Sequence, residues 1–237
     1  MRRPLPPIAS LRDFYAFEHH VATCRRHRGL DMVPEWYEVP VFYFGNPATI
    51  LGDGDDVYSP RGCLKLDYEL ELACVIGKTC RDLPDDDRAM DVVAGLTIMN
   101  DWSARDIQAT EMKVGLGPSK GKDFATSLGP ELVGLDELRG AYVDGRFHLE
   151  MIARVNGRTL SRGNAGTMYW SWPRILAHAS RDTALREGDV IGSGTVGGGC
   201  ILELTPEVTG GWLKPGDLVE LSIERMGTLR NRVVDHP

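Results

Sequence analysis

The sequence predicts an α+β fold, a strand-rich mixed β-sandwich roll, on three observations. Segments 40–44, 64–77, 92–99, 147–155, 189–192, 200–204 and 218–224 are apolar or alternating and bounded by turn residues, which marks them as strands. Helical spacing is confined to 11–25, 103–110 and 171–179, and these do not alternate with strands as βα units do. Glycine and proline punctuate short segments without a repeat or linker, so residues 1–237 are expected to form a single domain.

In chain order, residues 11–25 set Leu11, Phe14, Phe17, Glu18 and Val21 at roughly helical intervals. On a continuous helix Asp13 and His20 would share a face, about 10.5 Å apart. The run 64–77 carries Leu64, Leu66, Tyr68, Leu70, Leu72, Cys74 and Ile76 at every even position, with Glu69 and Glu71 on the opposite parity. Strand side chains alternate faces, so the two carboxylates point the same way about 6.6 Å apart, a spacing that lets both reach one hard divalent cation. Segment 92–99 runs into Asn100, Asp101 and Trp102, and Asp101 offers a third oxygen ligand at a strand end. Ser103 is the expected N-cap of helix 103–110, where Arg105 and Gln108 lie three apart on one face. Lys122 adds a donor from the following loop, and three convergent donors beside a cation suit an anion or oxyanion. Pro173 fits the first turn of helix 171–179.

Composition narrows the function. The net charge of −7 supplies no long-range attraction to nucleic acid or anionic lipid, and Arg25-Arg26-His27-Arg28 is the only dense basic stretch. No apolar run approaches 18 residues and the N-terminus lacks a signal-like core, so a cytoplasmic protein without membrane or nucleic-acid partners is expected. The five cysteines form no C-x-x-C pair, and reduced thiols, with neither a disulfide framework nor a zinc site, are the expectation.

Three motifs fail on context. Gly192-Ser193-Gly194-Thr195-Val196-Gly197 matches a dinucleotide fingerprint, but 200–204 reads as a strand where that fingerprint needs a helix. The glycines are read instead as close backbone approach. Gly121-Lys122 lacks the rest of a phosphate loop, since Leu116 and Asp123 stand where it needs Gly and Ser or Thr. Gly52 to Asp56 lacks the closing glutamate of a calcium loop and reads as a hairpin turn.

Four blocks together resemble the fumarylacetoacetate hydrolase family over most of the chain. They are Asp13-Phe14-Tyr15 with His20; Leu66-Asp67-Tyr68-Glu69-Leu70-Glu71; Met99-Asn100-Asp101-Trp102-Ser103-Ala104-Arg105-Asp106-Ile107-Gln108; and Gly192-Ser193-Gly194-Thr195 with Leu202-Glu203-Leu204. The resemblance implies that family's catalytic-domain fold and Mg²⁺ (or Ca²⁺ or Mn²⁺) held by Asp13, Glu69, Glu71 and Asp101. It implies a His20–Glu203 dyad that activates water, and Arg105, Gln108 and Lys122 as groups that stabilise developing negative charge. Tyr15, Tyr43 and Thr195 match substrate-contacting positions.

The implied activity is metal-dependent hydrolysis of a carbon–carbon bond in a small β-diketo acid, of the fumarylacetoacetate, fumarylpyruvate or acylpyruvate type, in aromatic-compound catabolism. A homodimer is implied with it. A 2-oxo acid decarboxylase, isomerase or hydratase of the same family is the alternative, and a non-catalytic oxo-acid-binding member the third reading. The Asp-Phe-Tyr block starts at residue 13, so the extra N-terminal domain of the eukaryotic enzymes is expected to be missing. The family's substrate arginine falls near Gly29, with Arg28 beside it.

Overall fold

The computed structural model describes residues 2–3 and 5–236. Two curved mixed sheets pack face to face around one large apolar cluster. The main sheet runs in the order Arg2–Arg3, Leu132–Val133, Val93–Asp101, Leu70–Ile76, Val190–Thr195, Leu11–Phe14, Phe42–Gly45, with Thr126–Leu128 and Ile50–Leu51 as a side branch. The second sheet orders Arg158–Asn164, Glu150–Val155, Leu218–Ile223, Gly227–Val234 and Asp56–Tyr58. Leu70, Leu72, Leu96 and Ile98 of the first sheet share the cluster with Met151, Ala153, Leu221 and Leu229 of the second. This strand-rich α+β architecture is the one expected.

The opposite face of the main sheet is also covered, by Leu11, Ala73, Val75, Met99, Leu128, Leu132 and Val190. Every residue of Leu70–Ile76 is therefore buried, which explains its near-continuous apolar sequence. Side-chain alternation then fixes the position of the polar groups. Asp13 follows Leu11 by two, Glu71 precedes Ala73 by two, and Asp101 follows Met99 by two, so the three carboxylates extend this second apolar face at one end of three strands.

Several expectations are corrected. Residues 11–25 are not one helix: Leu11–Phe14 is a strand, parallel to Val190–Thr195 and antiparallel to Phe42–Gly45, and the helix is Glu18–Arg26. Segment 64–77 divides into Leu66–Asp67 and Leu70–Ile76, with Tyr68 and Glu69 in the break. Segment 200–204 is a single helical turn, Ile201–Leu204, because the Asp67 carboxylate accepts from the backbone N–H of Ile201 at 2.7 Å and of Leu202 at 3.0 Å. Ser103 does not cap the next helix: its hydroxyl donates to the Asp101 carbonyl, and Arg105–Glu111 starts from Ala104 without a side-chain cap. The turn at Gly54 joins strands of different sheets rather than a hairpin. Among the described residues no helix is long and apolar enough to cross a membrane.

Candidate active site

Three strands deliver Asp13, Glu71 and Asp101 to one point, where a carboxylate oxygen of each lies within 4.8 Å of the others, all three residues buried. Gly192 makes room for them. It pairs with Asp13 on one side and Ala73 on the other, and a Cβ at 192 would stand 2.4 Å from Asp13 Oδ1 and from Met99 Cε. Gly194 of the same strand is also a place of close approach, against the Phe14 carbonyl, and its backbone N–H donates to Asp13 Oδ1 at 3.2 Å and Glu71 Oε2 at 3.1 Å. Thr195 donates its hydroxyl to Glu71 Oε1 at 3.3 Å, and Tyr43 donates to Asp101 Oδ2 at 2.5 Å.

Glu69 sits beside this trio rather than in it. Arg105 Nη2 donates to its Oε1 at 2.8 Å, and Lys122 bridges its Oε2 to Asp101 Oδ2. Gln108 accepts from Arg105 Nη1 at 3.3 Å. His20 Nδ1 meets Glu203 Oε1 at 2.7 Å, while Nε2 faces Glu69 Oε1 at 3.8 Å. The backbone N–H of Gly198 holds the second Glu203 oxygen at 2.9 Å, and the Tyr15 ring stands edge-on to the imidazole. The twelve predicted residues thus form one connected network. Arg28, the arginine beside the family's expected position, donates to the Cys24 carbonyl.

The charges sort into two populations. Burial, and then the neighbouring charge of Asp101, raises Asp13 well above the usual carboxylate range; burial and Asp13 do the same to Glu71. Burial also raises Asp101, with Lys122 opposing. Glu69 is equally buried, yet Arg105 and Lys122 outweigh that and hold it far below the usual range. Burial opposes charge on His20 as well, but contacts with Cys200 and Glu203 more than offset this, and the imidazole titrates well above its ordinary value. Glu203 is lowered in turn: burial acts against it and the His20 hydrogen bond prevails.

The donor set fits a hard divalent cation. All ligands are oxygens, Asp101 Oδ1 is buried without any hydrogen-bond partner, and with Glu69 matched by Arg105 the trio has, among the described residues, Lys122 alone paired with it.

Sequence reasoning overlooked Asp67. Its parity is that of Glu69 and Glu71, but the break at Tyr68 and Glu69 separates it from them, and in the fold it takes Arg105 Nε at 2.9 Å while capping the turn that carries Glu203. It is a positioning residue for both charged arms of the site. Asp67→Ala is expected to destabilise the protein by about 3–5 kcal/mol by leaving a buried guanidinium half-paired, seen as a lower urea midpoint with unchanged slope.

Comparison with known proteins identifies the family and the fold. The sequence model described as fumarylacetoacetate (FAA) hydrolase C-terminal matches residues 10–234. A fumarylacetoacetase of Arabidopsis thaliana is 34% identical over 247 residues, covering 84% of this chain and 58% of its own length. Oxaloacetate tautomerase YisK of Bacillus subtilis is 35% identical over 200 residues, covering 83% of this chain and 62% of its own. The chain thus spans less than two-thirds of either relative. Among solved structures, fumarylpyruvate hydrolase of Pseudomonas aeruginosa, in complex with Mn²⁺ and pyruvate, superposes with a TM-score of 0.77 at 24% identity, covering 97% of this chain and 91% of that one.

Proposed function

Because the chain belongs to the fumarylacetoacetate hydrolase family, we propose that it is a divalent-metal-dependent hydrolase that cleaves a carbon–carbon bond in a small β-diketo acid. The observation that carries this reading is the pairing of an all-oxygen carboxylate trio with a buried imidazole–carboxylate dyad across Glu69. Asp13, Glu71 and Asp101 would hold the cation, with Glu69 adjoining. A bound Mg²⁺ or Mn²⁺ polarises a carbonyl and makes a carbanionic leaving group tolerable.

The chain's own residues supply the proton chemistry. Glu203 holds the Nδ1 side of His20, which leaves Nε2, the nitrogen facing Glu69, to take a proton from water. Gly198 N–H fixes Glu203 in turn, so the imidazole keeps one orientation as it gains and loses charge. Arg105 and Lys122 bring two fixed positive charges to the Glu69 side of the site and favour an anionic substrate and the negative charge that develops on it. Tyr43 and Thr195 are held against the carboxylates by hydrogen bonds to Asp101 and Glu71.

A panel of acylpyruvates assayed with Mg²⁺ and after complete chelation tests the reading. Turnover is expected to fall to background in EDTA and return with Mg²⁺ or Mn²⁺; full activity in the chelated protein overturns the metal role.

The likeness to an oxaloacetate tautomerase favours one second reading, enolisation of a 2-oxo acid without bond cleavage. Product analysis by NMR separates the two, since hydrolysis yields two acids and tautomerisation one.

A further inference from the structure

Behind the His20 ring lies a second cluster of different chemistry. His20, Cys24 and Cys200 are all buried, and a ring nitrogen and the two sulfurs lie within 4.8 Å of one another. Cys24 Sγ is 3.8 Å from both imidazole nitrogens, and Cys200 Sγ is 3.6 Å from Glu203 Oε1. Across a tetrahedral zinc ion, bonds of about 2.3 Å to sulfur and 2.0–2.1 Å to nitrogen leave sulfur and nitrogen roughly 3.6 Å apart. His20, Cys24 and Cys200 therefore need little movement to close on one ion, and Glu203, in contact with His20 and Cys200, stands next to them. Two elements supply them: Cys24 lies one turn after His20 on Glu18–Arg26, and Cys200 immediately precedes the turn Ile201–Leu204 that carries Glu203. None of the four belongs to the Asp13, Glu71 and Asp101 trio.

We propose that His20, Cys24 and Cys200, with Glu203 as fourth ligand, form a binding site for a soft divalent cation such as Zn²⁺, separate from the hard-cation site. Softness discriminates the two, because thiolates favour Zn²⁺ and carboxylates alone favour Mg²⁺. The two thiols release their protons to solvent as the metal–sulfur bonds form, and His20 binds as the neutral imidazole. Zinc there occupies the imidazole that the proposed hydrolysis needs, so binding inhibits. Only this inhibition rests on the proposed function; the binding stands apart from it.

Cobalt(II) reports the site directly, because thiolate ligation gives it an intense near-ultraviolet charge-transfer band that carboxylate ligation does not. The full chain is dialysed against Co²⁺ in a large excess of Mg²⁺ under reducing conditions. One equivalent bound with that band, and its loss on adding Zn²⁺, is the expected result. C24S and C200S are each expected to weaken Co²⁺ binding at least about 10-fold, while Asp101→Asn keeps the band. Circular dichroism confirms that each variant folds, and the wild-type titration is decisive if one does not. Absence of the band, or full retention in both folded cysteine variants, overturns the site. A band without loss of acylpyruvate turnover leaves the site standing and overturns the base role of His20.

Discussion

His20→Ala is expected to lower acylpyruvate turnover by about 10²–10⁴-fold, the usual worth of a positioned general base. KM should change little, because the groups facing an anionic substrate remain. The pH profile tells this apart from a structural defect. His20 is buried and bonded to Glu203, and it titrates above its ordinary value of 6.5. The base form therefore accumulates only as the pH rises above the ordinary imidazole range, and kcat/KM should climb through that raised value. Stability runs the other way: the contribution of the ion pair is complete below about 6.5 and is lost as pH rises through the folded-state value. Glu203→Gln removes the charge that sustains the imidazolium and should shift the rising limb to lower pH while reducing its plateau. A limb that does not move in Glu203→Gln would sink the dyad.

Glu71→Gln should raise the melting temperature of the metal-free protein while abolishing its response to metal. In the wild type, Asp13, Glu71 and Asp101 are buried together and all three are raised. The folded trio holds protons that the unfolded chain has already lost near neutral pH, so metal-free stability declines as pH rises above the ordinary carboxylate range. Glutamine keeps an oxygen for the Gly194 N–H and removes one of the repelling charges. With wild type, Mg²⁺ at 100 times its Kd adds about 2.7 kcal/mol, equivalent to about 5–11 °C for a chain of this size. Glu71→Gln should show a higher baseline and little or none of that increment in a thermal melt at pH 7. Equal metal-induced shifts in the two proteins would remove Glu71 from the cation site.

Legibility in the sequence followed the range of the forces involved. Glu71 and Asp101 were readable because strand parity and a strand end are local, and both lie where alternation put them. Asp13 stood in a segment whose Leu11, Phe14, Phe17 spacing imitates a helix; pairing with Val190–Thr195, remote in the chain, makes it a strand. The Ile201–Leu204 turn was read as a strand for the same reason, since its cap comes from Asp67. Glu69 shares the parity of Glu71, but the break at Tyr68 and two cations from other elements draw it into a different charge environment.

By itself the sequence determined the strand-rich class, the family through its four blocks, and the residue types that converge. Only the tertiary structure decided which carboxylates form the trio and which is neutralised, that Asp67 anchors Arg105 and the turn carrying Glu203, and that Cys24 and Cys200 meet at His20. Alternation and capping act within a few residues and leave a trace in the string. Charge pairing and ligand geometry depend on distances between distant segments, which exist only after the sheets have closed.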